Sequence, residues 1–493
     1  MKFKFIYIVA ITTFLLGSSC SDFLDPEDSS IVFTDDLPDI LERNTDALIQ
    51  GVYGRSVEYA FWASRHDDFG QKSIDLAVDL SSEDMVHYSN KQWFITFYQF
   101  NDRAAANTYS PARQWAYGYA QIRDLNNIII ALADESKLSE AEKNLKGEAL
   151  ALRAFHYFTL INLYQTAGEW SHIKDLPGVP VYTEVTLEGK GRGTVAETYD
   201  RILADYEAAI PLLKGFAPPV LTRITQVGAK LLAARAYLYT GDYAKALTYS
   251  TEVVNATSLM PTSEYTKGFA DISNVEWLWG ADITSVNSTS YASFFSIIDG
   301  LSPGYAGALG QYKTIDKRLY DNIHANDVRK DNFEGADGGE YEVPYFQLKF
   351  VDASKKFLGD YVYLRAAEAY YIKAESEVRT NDIEAAKKTL DLISNARAKS
   401  GTHSYTWAST PEALLDQIFV QKRIELWGEG HALFEFNRLE KTIDRTYQGT
   451  NHPAANIIGG DRPLPWHDAL RTFQIPIKEI EGDDAITEAD QNP

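Results

Sequence analysis

The chain has one cysteine, Cys20, in 493 residues. That excludes an intramolecular disulfide, and with it any zinc site built on several cysteines. There is no excess of basic residues either: the formal net charge is −22, which argues against nucleic acid, whose phosphates need a basic stripe. An acidic surface of this kind serves solubility and names no partner. No H-E-x-x-H, G-x-S-x-G or phosphate loop occurs, so the common hydrolase and nucleotide signatures are missing. The stretch GKGRGT (189–194) only imitates a phosphate loop, because it lacks the preceding strand and the GKS/T ending. It reads as a loop whose Thr194 caps a helix. No Gly/Ser/Pro-rich linker or low-complexity tract divides the chain, which predicts one large composite domain. What is present, 45% hydrophobic and 24% charged residues, is ordinary globular composition able to bury a core.

Long apolar runs are also missing, with one short exception at the start. Lys2 and Lys4 precede the apolar stretch 5–16, then Gly17-Ser18-Ser19 and Cys20. The run is too short to span a bilayer, which takes about 20 residues, and reads as a secretory signal over 1–19. A lone cysteine at the cleavage junction is similar to a bacterial lipobox, in which the thiol takes a diacylglycerol before the signal is removed. Gly17 stands where leucine is usual, with Leu16 one place back. The alternative is an ordinary cleaved signal followed by an incidental cysteine. Residues 21–30, SDFLDPEDSS, are polar and acidic apart from Phe23-Leu24, and 20–35 reads as a lipidated tether to a single domain at 36–493.

Residues 227–254 read as two helices folded about a tight turn. Leu231, Ala234, Tyr237 and Leu238 recur at three- and four-residue spacing and so share one helix face. Gly241 suits the left-handed residue that ends such a helix, and Asp242 suits the cap of the next, which presents Ala246, Leu247, Val253 and Val254. Ala234, Tyr237 and Ala246 match the small, aromatic and small positions of the tetratricopeptide pattern. Ser250 occupies a position that the pattern gives to an aromatic. Residues 367–390 repeat the arrangement with Asn381-Asp382 at the turn, and 147–164 repeat the first helix, with its partner displaced to 194–213. Helical periodicity at 37–61 and 114–133 predicts a further pair. A helical-repeat scaffold carrying long insertions follows; unrelated amphipathic helices sharing alanine-rich faces are the alternative.

The insertions, at about 61–110 and 275–345, concentrate aromatic residues. The first contains FWASRHDDFGQ and a run with Trp93, Phe94, Phe97, Tyr98 and Phe100 beside Asn90, Gln92, Gln99 and Asn101. Rings mixed with amides suit a neutral polyhydroxylated ligand, whose CH faces stack while its hydroxyls hydrogen-bond. The same rings would equally serve a core. The second insertion alternates like a buried strand at 275–283, then carries Tyr291, Tyr305 and Tyr312 among glycines. Trp93, Tyr98, Asn101, Tyr291 and Tyr305 are therefore the candidate ligand-binding residues. In 418–438, Arg423, Glu425, Glu429, His431 and Arg438 lie among apolar residues and predict paired buried ions. The Glu425/Glu429 pair also has a catalytic reading, since paired carboxylates run glycoside hydrolysis. Arginines beside them oppose it by lowering a carboxylate's pKa.

In this order and spacing, several segments together resemble the SusD/RagB family of Bacteroidetes outer-membrane nutrient-binding lipoproteins. They are CSDFLDPED, GEALALRAFHYFTLINLY with PGVPVY, TVAETYDRILADYEAAI, the 222–247 segment, KRIELWGEGHALFEFNR and the closing FQIPIKEI with QNP. The resemblance implies a mainly α fold: a tetratricopeptide-like helical-repeat scaffold of about four helix pairs, with long loop-rich insertions and a few short strands. It also implies a surface capture protein, without cofactor or metal, that serves a partner TonB-dependent (SusC-like) outer-membrane transporter and binds mostly glycans, in some members peptides. Asp22, Asp25, Glu27 and Asp28 are similar to the family's surface-export signal. A glycan-cleaving enzyme and a purely structural helical adaptor are the competing readings. The missing catalytic constellation opposes the first, and the ring-rich insertions oppose the second.

Overall fold

The turn at 241–242 forms as its sequence predicts. Gly241 takes φ of 76°, a left-handed conformation costly for residues with a Cβ, and the Asp242 carboxylate accepts from Lys245 N at 3.1 Å. At the homologous turn Asn381 adopts φ of 66°, and Asp382 accepts from Ala385 N at 3.0 Å. The computed structural model describes residues 45–89, 93–103, 105–457 and 459–493. The signal, Cys20, the tether, the start of the 37–61 segment, Asn90 and Gln92 lie outside the described residues.

The longer helices are α1 (Thr45–Arg55), α2 (Gln71–Leu80), α3 (Tyr109–Ala131), α4 (Glu140–Tyr164) and α5 (Val195–Leu212). They continue with α6 (Gln226–Thr240), α7 (Tyr243–Ala256), α8 (Ala367–Arg379), α9 (Ile383–Arg397), α10 (Pro411–Glu425) and α11 (Ala432–Arg438). Each of α3 to α8 packs on its successor, and α8 also meets α10. This is the stacking order of helical repeats, in which each pair buries its apolar face on the next. Ala233, Ala234 and Ala236 of α6, Ala246 of α7 and Ala367, Ala369 and Ala374 of α8 are all buried. Small side chains there let the backbones approach. Thr194 caps α5 in a capping box with Glu197.

Two short antiparallel pairs cross between the insertions and the scaffold. β2 (Trp277–Ala281) pairs with β4 (Tyr361–Arg365), and both are buried throughout. β1 (Met85–His87) pairs with β3 (Lys313–Ile315), Met85 opposite Ile315 and His87 opposite Lys313. The second pair ties the first insertion to the second. That link positions the site described below.

The charge in 418–438 is buried and paired. Arg365 of β4 forks onto Glu429, with bonds of 2.8 and 2.7 Å, and reaches Glu425 at 3.1 Å. Arg397 joins Glu276 and Glu425, each at 2.9 Å. Burial alone would raise the Glu429 carboxyl, yet Arg365 and Lys349 outweigh it and hold the group at about 2. Glu425 is likewise held well below the carboxylate range by Arg397, Arg365 and Arg329 against burial. Neither side chain is poised to give up a proton as a general acid.

Candidate functional site

The site is built where the 59–69 loop, which opens the first insertion, meets the rest of that insertion and the second. Asp68 shapes the loop: its carboxylate accepts from Trp62 N at 2.8 Å and from Arg113 Nε at 3.0 Å. The loop closes through a bridge between Tyr59 and Phe69. His66 is held half-buried at its tip.

Around the His66 imidazole stand three of the five expected residues. Trp93 lies 5.4 Å away between ring centroids, Tyr305 lies 5.7 Å away, and Tyr291 stacks at 6.3 Å with an interplanar angle of 11°. Trp93 and Tyr305 also meet edge to face at 6.2 Å, and Tyr291 and Tyr305 at 5.7 Å. Such edge and offset contacts are the favoured aromatic geometries. Nδ1 of His66 and the Tyr305 hydroxyl are 2.7 Å apart. With the hydroxyl donating, the neutral imidazole carries its proton on Nε2, which leaves a donor at the other edge of the ring. Tyr291 is 49% exposed. Its ring is the most open to a ligand.

Local backbone chemistry sets these positions. Phe94 adopts φ of 69° and is buried, so the chain turns sharply and leaves Trp93 half-exposed beside its buried neighbour. Left-handed backbone at a phenylalanine costs of order 1–3 kcal/mol, and strain of this kind gathers at functional sites. The Trp93 Nε1 donor is buried with no hydrogen-bond partner among the described residues. On the other side Gly304 lies against Ser296, where a Cβ would come within 2.5 Å of Oγ. Tyr305 N then donates to that hydroxyl at 3.3 Å and Ala306 N to the Ser296 carbonyl at 2.9 Å.

Arg65 adds a charged edge. Its guanidinium sits 4.0 Å from the Tyr109 ring centroid and 5.2 Å from that of Trp93. Asp67 forks onto it at 2.9 and 2.8 Å, which cancels the charge and locks the plane. The site thus offers ring faces and a hydrogen-bond donor, with its Arg65 charge paired to Asp67.

Two expected residues fall elsewhere. Tyr98 is 0% exposed and belongs to the core: its hydroxyl donates to His452 Nδ1 at 2.5 Å, and the Arg445 guanidinium lies 4.3 Å from its ring centroid. The cause is a short helix, Ile95–Gln99, which turns Phe97 and Tyr98 inward. Asn101 is exposed and donates to Gln99 at 2.8 Å, bonded away from the rings. His66, Arg65, Tyr59 and Tyr109 were not singled out by sequence reasoning. The signal available was an Arg-His pair inside the aromatic stretch 59–69.

A family model described as starch-binding associating with outer membrane matches residues 23–238, and the SusD family model matches residues 310–493. The chain belongs to the SusD/RagB family. A SusD-like carbohydrate binding protein from Bacteroides vulgatus superposes with a TM-score of 0.79 at 25% identity, covering 92% of this chain and 98% of that one. A SusD superfamily protein from Bacteroides thetaiotaomicron gives 0.74 at 22% identity over 94% and 100%. Surface glycan-binding protein A from Bacteroides uniformis gives 0.66 at 18% identity over 92% and 99%. The last two are similar in fold. No curated protein matches the sequence at a significant level. The mainly helical, tetratricopeptide-like fold is that of the SusD structures. Among the described residues no helix is long and apolar enough to cross a membrane, and no cluster of three or more His, Cys, Asp or Glu could hold a metal ion.

Proposed function

We propose that this SusD/RagB protein is a non-catalytic, cell-surface glycan-binding lipoprotein. It is anchored through Cys20 and passes its ligand to a partner TonB-dependent, SusC-like outer-membrane transporter. The observation that carries the reading is the convergence of Trp93, Tyr291 and Tyr305 on His66. Ring faces take the CH faces of sugars, while the His66 N–H bonds a hydroxyl. The carboxylate beside these rings, Asp67, is engaged by Arg65, which suits binding and not acid catalysis. The description of the family as starch-binding at the outer membrane and the carbohydrate-binding relative support the same ligand class and place.

The test is a glycan array with soluble protein beginning after Cys20, scored for bound ligand and for cleavage products. Binding without products is expected, weakened by Trp93→Ala and by Tyr291→Ala. Products released by the wild type would make it an enzyme; peptide binding without glycan binding would change the ligand class. Anchoring is tested separately. Stable attachment needs more than one acyl chain, and Cys20→Ala should leave the protein soluble. Continued sedimentation with outer membranes, with no lipid label in either form, would remove the anchor.

A further inference from the structure

A cleft of about 470 Å³ opens beside the same loop, lined by Trp62, by Ala112, Trp115, Ala116 and Tyr119 of α3, and by Tyr182. Positions 112, 115, 116 and 119 form one helical stripe. Tyr109, which carries the Arg65 guanidinium, begins that stripe one turn earlier. Trp93, Tyr291 and Tyr305 do not line the cleft, so it is separate from the ring site although both use one loop and one helix.

Its walls are aromatic, and the side-chain polar atoms of Trp115 and Tyr119 are already committed. Trp115 and Tyr119 lie 4.8 Å apart between centroids, and Tyr119 and Tyr182 meet edge to face at 5.9 Å. The Tyr119 hydroxyl donates to the Pro180 carbonyl at 2.8 Å, and Asn126 donates to the Tyr182 carbonyl at 3.0 Å. The Trp115 indole bonds Glu479. Charges at the cleft balance, Arg123 and Lys478 against Glu184 and Glu479. Val185 and Leu187 edge it from the 183–189 loop, and Leu187 is 107% exposed. With Val185 46% exposed as well, the two side chains extend the apolar surface of the hollow beyond its aromatic wall.

We propose that this cleft binds an uncharged ligand bearing a flat apolar ring system, stacked on the Trp115–Tyr119–Tyr182 wall and covered by Leu187. The volume lies within the roughly 300–1,000 Å³ of small-molecule sites, and apolar walls with a few polar groups are their usual lining. A bare sugar fits poorly, because the Tyr119 hydroxyl and the Trp115 indole N–H of the ring wall are already in use. An ion gains nothing from a balanced rim. The inference stands independently of glycan binding at the ring site.

Titration of methyl ferulate, an uncharged aromatic ester, followed by tryptophan fluorescence and calorimetry, tests it. Saturable binding is expected to the wild type and to Tyr291→Ala, with none for methyl glucoside over the same range. Ala116→Phe, which fills the hollow, should weaken binding at least about tenfold, or about 1.4 kcal/mol. Leu187→Asp alters a fully exposed residue, so the fold is kept while ester binding falls. No saturable binding to the wild type overturns the proposal. So does binding that Tyr291→Ala abolishes and Ala116→Phe leaves intact, since the ester would then sit at the ring site. Tighter binding of the ferulate anion than of its ester would make the cleft an anion site, against the proposal. A wild-type dimer that Leu187→Asp converts to monomer, without ester binding, would assign the face to a second copy of the chain.

Discussion

His66 Nδ1 and the Tyr305 hydroxyl, 239 residues apart in sequence, lie 2.7 Å apart and join the two insertions at the ring site. The pairing of β1 with β3 ties the same two insertions together a second time. Tyr305→Phe keeps the ring and removes the hydroxyl. A net hydrogen bond of about 0.5–1.5 kcal/mol is lost, and glycan affinity measured by calorimetry should fall by a corresponding two- to tenfold (approximately). Unchanged affinity in a folded variant would separate the bond from the site.

Tyr291 and Tyr98 should respond in opposite ways. Tyr291→Ala removes a half-exposed ring and should leave the melting temperature alone while costing about 0.5–1.5 kcal/mol of stacking to the ligand. Tyr98→Phe leaves His452 Nδ1 buried without its donor. It should cost about 1–3 kcal/mol of stability with affinity intact. Circular dichroism melts and calorimetry on both variants check the pair.

Ionic strength is a third discriminator. Asp67 neutralises Arg65, so a neutral glycan meets no net charge that salt could screen. Affinity should be nearly equal in dilute and in concentrated salt. A collapse with salt would point to a charged ligand.

The repeats were legible in sequence because their determinants are local. Gly241-Asp242 and Asn381-Asp382 each fix a turn with neighbouring residues, and β2 announces itself by alternation. The site was legible only in part. Trp93 and Tyr98 are equivalent by composition, and the left-handed turn at Phe94 separates them: one ring stays half-exposed and the other enters the core. His66 sits in a loop with no periodicity, and its role arises from strand pairing over a long separation. The buried ions follow the same division. The charges of 418–438 predicted pairing, whereas Glu276, Arg365 and Arg397 join them through tertiary packing alone.

At the repeat interface the expected effect of substitution has a definite sign. Ala234 and Ala246 are both fully buried, so Ala234→Leu should overpack the contact and cost about 1–3 kcal/mol. Ser250, where the repeat pattern has an aromatic, is 0% exposed and its hydroxyl donates to the Leu247 carbonyl at 3.2 Å. Ser250→Phe should therefore destabilise as well. Melting curves unchanged in both would contradict the repeat packing.

Acid should unfold the protein partly through Glu429. Its carboxylate takes Arg365 in a fork and Lys349 at 2.6 Å, which hold it at about 2 against the opposing effect of burial. In the unfolded chain a glutamate titrates near about 4.3. A depressed folded value means that the stabilisation is present above the unfolded value and is lost as pH falls from there through about 2. Asp79 has the reverse sign. Burial raises it to about 7, although the N–H groups of Gly430 and Ala432 oppose the shift, so its stabilisation is complete below roughly 3.9 and disappears as pH rises through about 7. Glu429→Gln should lower stability at neutral pH by about 3–5 kcal/mol, because it leaves buried cations short of a partner, and should flatten the acid limb of a denaturant series below about pH 4.5. Asp79→Asn should flatten the limb between about pH 4 and 7 and leave the acid limb in place. If both variants keep the wild-type pH profile, the titrating groups that govern stability lie elsewhere in the network.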